Sequence, residues 1–109
     1  MRDTTELTAA AERFADRLRA APQSRLQRGA AAEGLALARE LATRAQRLET
    51  PGREPRIMPD AGVFAVADQL AVAATDLAES MRTAPADAPE GDLDEAVRLV
   101  REAEARSGL

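Results

Sequence analysis

The sequence predicts an all-α protein, a four-helix up-down bundle in a single domain spanning residues 1–109. Apolar residues recur at spacings of three and four along four segments, and each segment ends near a proline or a glycine. No segment shows the alternation of β-branched residues that is typical of a strand. Because 26 of the 109 residues are alanine, we expect the helices to approach closely and bury one common core.

The first helix is predicted over residues 4–21. Asp3 and Glu6 have the three-residue spacing of an N-terminal capping box, and Pro22 follows the last residue. The apolar residues of this helix form a single stripe, and the opposite face is charged. We therefore expect one side of the helix to contact the core and the other to face water.

The second helix is predicted over residues 25–49, with Ser24 as its N-cap. Its main apolar stripe contains Gly34, which costs about 1 kcal/mol of helix propensity relative to alanine and indicates a close approach of another helix. A second stripe means that the helix contacts either two neighbouring helices or one neighbour and a partner chain. Because a helix of a four-helix bundle needs only one apolar stripe, we predict the partner chain, most simply a second copy. The second stripe consists of Ala31, Leu35, Ala38 and Ala42.

Residues 50–60 are predicted to form a Pro-rich connector, because three prolines at a spacing of four exclude a helix. Ile57 and Met58 are apolar residues within this polar segment. Either they cover the open end of the bundle or they form a contact patch for another protein. We include both residues with the second stripe in the predicted interface.

The third helix, predicted over residues 61–82, has the broadest apolar face in the chain, which favours a central position in the core. A linker rich in Pro, Ala and acidic residues follows at 84–91, and we expect it to be flexible. Asp92 and Glu95 form another capping box before a fourth helix over residues 93–106. Because this helix is short and follows the linker, we expect it to be loosely attached.

The composition excludes most chemistry, since the chain has no His, Cys, Lys, Trp or Tyr. It therefore has no imidazole base, no thiolate, no soft metal ligand and no amine for a Schiff base. We predict no catalytic residue, no cofactor and no metal site. Carboxylates such as Asp76 and Glu79 leave an Mg²⁺-dependent enzyme as an alternative, and Arg39, Arg44 and Arg47 leave an enzyme that binds a dicarboxylate.

The distribution of charge and of apolar residues limits the classes of partner that the chain can bind. Residues 22–58 carry seven Arg and four acids, whereas residues 59–109 carry four Arg and eleven acids. An acidic half repels phosphate, and the basic segment is too dispersed for a nucleic-acid interface, so we do not expect a nucleic-acid partner. No apolar run reaches the length of a membrane span, and the N-terminus has no apolar signal segment, so we expect a cytoplasmic protein without a membrane partner.

The sequence therefore predicts a non-enzymatic helical module for protein–protein interaction. We expect it to form a homodimer or to bind another helical protein. The exclusive use of Arg as the basic residue, together with the excess of Ala, is typical of a GC-rich bacterial genome. Two alternatives remain open, a small all-α enzyme of the kinds just named and a regulator or DNA-associated helical protein.

Overall fold

The computed structural model describes residues 2–85 and 87–109 and confirms the all-α prediction, with four helices that pack together as a four-helix bundle. Within these two ranges there is no strand, and no helix combines the length and apolarity that a membrane span requires. The helices are α1 (Thr5–Ala20), α2 (Ala31–Glu49), α3 (Val66–Thr83) and α4 (Leu93–Ser107).

The helices surround one core in the spatial order α1, α3, α2, α4. α3 packs against both α1 and α2, and α4 packs against the same two helices from the other side. α1 and α2 follow each other in the chain but barely touch. Each helix contributes a large, fully buried side chain, and these include Phe14, Leu41, Leu70 and Val100.

α2 and α3 run parallel to each other. Near the start of both helices, a Cβ atom on Gly34 would lie 2.7 Å from Val66 Cγ1. Near the end of both helices, Ser80 Oγ donates a hydrogen bond of 2.8 Å to Glu49 Oε1. Since both ends match, the chain between α2 and α3 must return along the full length of the bundle.

α4 runs antiparallel to α2. Arg44 Nη2 lies 3.1 Å from Glu95 Oε1 at one end of this pair, and Arg106 Nε lies 3.0 Å from Glu33 Oε2 at the other. The directions of the four helices are therefore down, up, up and down, and not the alternating directions of an up-down bundle. The returning connector between α2 and α3 is the cause of this difference.

α1 runs antiparallel to α3, since Arg19 in its last turn lies 3.0 Å from Asp68 in the first turn of α3. Thr4 occupies the N-cap position of α1 without a capping hydrogen bond from its side chain. The predicted cap, Asp3, instead accepts a hydrogen bond of 2.9 Å from the N–H of Thr5. The sequence therefore predicted where α1 begins, but it did not predict which hydrogen bond is formed at the N-terminus of this helix.

The predicted helix over residues 25–49 is interrupted. The chain forms a short helical turn at Gln23–Arg25, followed by the segment Leu26–Ala30, which has a kink at Gly29. The φ angle of Gly29 is 142°, a region that favours glycine over any residue with a side chain. A regular helix cannot continue through such a residue, so α2 begins only after it.

α3 begins at Val66, five residues later than predicted. Asp60 Oδ1 accepts a hydrogen bond of 2.8 Å from the N–H of Gly62, whose φ angle is 94°. This conformation belongs to a turn and not to a helix. As a result Phe64, which falls within the helix predicted over residues 61–82, lies outside α3 and is 71% exposed.

α4 begins as predicted, because Asp92 Oδ1 accepts a hydrogen bond of 3.0 Å from the N–H of Glu95. The apolar face of α4, with Ala96 and Val100, is buried as deeply as the faces of the other helices. The structure thus gives α4 more contact with the molecule than the sequence led us to expect. Residue 86 of the linker lies outside the described residues, and flexibility of the linker 84–91 stays a prediction.

Candidate functional site

The connector between α2 and α3, residues 50–65, returns along these two helices and is held by their side chains. Its main chain forms hydrogen bonds with these side chains at three residues, Arg56, Met58 and Pro59, so this part of the connector lies against the bundle. The bonds are those from Gln46 Nε2 to Arg56 O (2.9 Å), from Arg56 N to Gln46 Oε1 (2.8 Å), from Arg39 Nε to Met58 O (2.8 Å) and from Gln69 Nε2 to Pro59 O (3.0 Å).

The second apolar stripe of α2, which the sequence assigned to an interface, is mostly buried within the monomer. Arg39 and Gln46, which hold the connector, lie seven residues apart beside this stripe. The stripe is therefore largely used within the monomer, and its residues contribute little free surface. Ala31, Leu35 and Ala38 are buried, and Ala42 is partly buried.

The two connector residues of the predicted interface have different surroundings. Met58 is partly buried and packs against the core, as expected for a residue that covers the bundle. Ile57 is 68% exposed, and of the predicted interface residues it has the largest free apolar side chain. The contact patch suggested by the sequence is thus reduced to Ile57 on the connector.

A shallow groove of about 280 Å³ lies where the kinked segment, the start of α2 and the turn before α3 meet. Two residues of the second stripe, Ala31 and Leu35, contribute to its lining. They are joined by Leu26 from the kinked segment and by Val63 and Val66 from the other side. The groove is therefore largely apolar and is formed by elements that the sequence did not place together.

Phe64 lies beside this groove in the chain, because it directly follows Val63, which is a lining residue of the groove. The chain has two aromatic residues, and the other one, Phe14, is fully buried in the core. Val72, on the outward face of α3, is the remaining large apolar side chain with a mostly exposed surface among residues 2–85 and 87–109, at 58%. Sequence analysis missed Phe64 as a surface residue because the Asp60–Gly62 turn was not recognised.

Two exposed charges lie at or beside the groove, on different elements. Asp60 lines the groove, whereas Arg28 directly follows the lining residue Gln27 and precedes the lining residue Ala32 by four positions. In the part of the chain that the structure describes, neither side chain forms an ion pair. An unpaired negative charge thus lines the groove, and an unpaired positive charge lies on the segment that forms its opposite wall.

The arginines considered for dicarboxylate binding do not converge on a pocket. Arg39 binds the main chain of the connector. Arg44 forms ion pairs of 2.8 Å with Glu40 and 3.1 Å with Glu95. Burial alone would lower the pKa of Arg44, but its hydrogen bonds to these two carboxylates outweigh burial and raise the pKa. Arg47 is exposed to solvent.

The carboxylates considered for Mg²⁺ do not converge either. No group of three or more acidic side chains within the described ranges has the geometry to hold a metal ion. Partial burial raises the pKa of Asp76, and the nearby charges of Glu49 and Glu79 add to this effect. The carboxylates in this cluster, at the ends of α2 and α3, therefore repel one another.

No family model, curated protein or solved structure matches this chain. On the surface of the described residues, the feature with the strongest chemical character is the apolar groove, with Asp60 in its lining and Phe64 and Arg28 next to lining residues.

Proposed function

We propose that the chain is a non-enzymatic helical interaction module of the bacterial cytoplasm that associates with a second copy of itself. The contact surface is the groove face, which we define as the groove together with Arg28, Ile57, Asp60 and Phe64. The observation that carries this proposal is the exposure of Phe64 beside an apolar groove. Burying such a side chain contributes about 1.5–3 kcal/mol, and because Phe64 is exposed in the monomer, this free energy is available to stabilise a dimer.

The use of the polar side chains within the monomer supports a non-enzymatic role. Arg39, Gln46 and Gln69 bind the main chain of the connector, and Arg44 is held between two carboxylates. These groups stabilise the fold and are not arranged around a cavity. Convergent polar groups with perturbed pKa values are the usual sign of a catalytic pocket.

The groove face offers a suitable area for a dimer. A standard interface takes about 800 Å² from each partner, which is about an eighth of the 6186 Å² that this chain exposes. The groove alone is too small for that area. Ile57 on the connector and Phe64 on the turn are mostly exposed large apolar side chains, so we include both in the contact surface.

Analytical ultracentrifugation over a range of protein concentrations tests the proposal. We expect a monomer–dimer equilibrium for the unmodified chain. Phe64→Glu should shift it to the monomer without loss of helical circular dichroism, since Phe64 takes no part in the core. The matched control is Val72→Glu, which adds the same charge at an exposed apolar position away from the groove.

A monomer at every concentration would overturn self-association. A dimer that Phe64→Glu and Val72→Glu weaken equally would place the contact outside the groove face. If Mg²⁺ or a nucleotide raised the melting temperature of the unmodified chain, the result would favour the enzymatic alternative instead.

A further inference from the structure

We propose that the self-association is a two-fold dimer in which Arg28 of each copy pairs with Asp60 of the other, while Phe64 of each copy packs into the other copy's groove. This inference rests on the proposed self-association and adds the arrangement of the two copies. It depends on three observations, the shape of the groove, the position of Phe64 and the placement of the two charges.

The groove has the size and chemistry for a side chain. Its volume of about 280 Å³ lies at or below the lower end of the range of about 300–1,000 Å³ that is usual for small-molecule pockets. Its apolar lining is aliphatic and includes Leu26, Leu35, Val63 and Val66. An aromatic ring is the largest apolar group that this chain exposes, and Phe64 carries it.

A two-fold interface requires that one patch contain both the group that inserts and the site that receives it. Phe64 is exposed and lies in the turn between the lining residues Val63 and Val66, so the inserting group and the receiving site are close together. Every contact in such an interface occurs twice, because each copy gives and receives the same group. A head-to-tail contact would instead need two separate patches and would lead to open chains.

The two charges favour a second copy over a different partner. When two groove faces meet around a two-fold axis that runs along the groove, the side with Arg28 faces the side with Asp60 of the other copy. The dimer then contains two pairs of Arg28 with Asp60. A partner with a surface of one sign would leave one of the two charges of this chain opposed by a like charge.

Charge reversal tests this arrangement. Arg28→Asp alone and Asp60→Arg alone each place two pairs of like charges in the homodimer. We expect each variant to dimerise at least about tenfold more weakly than the unmodified chain at low salt. When the two variants are mixed, each changed position faces an opposite charge, so a heterodimer should form and be tighter than either homodimer. Native mass spectrometry of the mixture measures this.

Two controls separate charge from damage to the fold. Arg47→Asp changes an exposed arginine near the far end of α2 and should leave dimerisation unchanged. Asp60→Asn keeps an oxygen that accepts the hydrogen bond from Gly62 N but removes the charge. It should therefore weaken the dimer less than Asp60→Arg.

The outcomes separate this inference from the proposed function. A monomeric unmodified chain overturns both. If the unmodified chain dimerises but both single variants dimerise as tightly, or if the mixture forms no heterodimer tighter than the homodimers, the reciprocal arrangement is wrong and self-association stands. Formation of the tighter heterodimer confirms the pairing of Arg28 with Asp60.

Discussion

Gly34 of α2 and Val66 of α3 lie so close that a Cβ atom on Gly34 would be 2.7 Å from Val66 Cγ1. The same atom would lie 3.0 Å from Leu18 Cδ1 of α1. Three helices therefore converge at a position where only a hydrogen atom fits. This explains why a residue of low helix propensity occupies the buried face of α2.

Gly34→Ala should destabilise the protein by about 1 kcal/mol. The steric cost of overpacking, about 1–3 kcal/mol, exceeds the gain of about 1 kcal/mol in helix propensity. Val66 is β-branched and buried, so it cannot rotate away easily. Chemical denaturation measures the effect. In a Val66→Ala background the same change should stabilise, and a stabilising Gly34→Ala in the unmodified chain would contradict the close approach.

Gly29→Ala should cost about 1–3 kcal/mol of unfolding free energy, because a φ of 142° is strained for a residue with a side chain. Apart from the adjoining chain, no atom lies within 4 Å of the position of an added Cβ, so the loss would come from the backbone conformation alone. Thermal unfolding followed by circular dichroism measures it. Gln27→Ala, at an exposed position in the same segment, should have little effect, and an equal loss in both variants would argue against the kink.

Val100→Ala tests whether α4 belongs to the core. Val100 is fully buried, so the loss of two methyl groups and the resulting cavity should cost about 2 kcal/mol. Val72→Ala is the matched control. Val72 is 58% exposed, so its truncation should change stability by less than about 0.5 kcal/mol. Similar effects at both positions would show that α4 is only loosely attached.

The raised pKa of Asp76 predicts a pH dependence. Burial and the charges of Glu49 and Glu79 disfavour the ionised form of this carboxyl group in the folded state. The pKa of Asp76 in the folded state therefore lies above the ordinary 3.8. The folded state binds the proton more readily than the unfolded state, so the unfavourable contribution is present at neutral pH and disappears as the pH falls through the folded pKa.

Asp76→Asn should consequently raise the melting temperature at pH 7, and the gain should shrink as the pH approaches 4. Differential scanning calorimetry of both proteins at a series of pH values measures the difference. A gain that is constant across this range would assign it to helix propensity and not to the charge.

The periodicity of apolar residues was sufficient to predict four helices, and the cap at Asp92 was predicted correctly. Two boundaries were not, because Gly29 and Gly62 adopt positive φ angles that end a helical pattern which otherwise continues through them. A glycine within a helical pattern does not reveal its backbone conformation in the sequence. The late start of α3 and the exposure of Phe64 follow from that single turn.

The predicted interface stripe shows a different limit of sequence analysis. Helical spacing reveals that a face is apolar but not what covers it. On α2 the stripe is buried within the monomer, where α3 makes the most extensive contact with α2, and this packing depends on the whole fold. The groove likewise combines residues from three segments, so it was predictable only once the helix directions were known.

The parallel course of α2 and α3 also affects how fast the chain folds. Helices that follow each other in this chain do not form a hairpin with a short loop, and the bond between Ser80 and Glu49 spans 31 residues. The contact of Arg17 with Leu109 spans 92 residues. Loop closure must therefore precede most helix pairing, which is entropically unfavourable. We expect this bundle to fold more slowly than bundles of its size that are built from helical hairpins, whose local contacts allow folding in microseconds to milliseconds.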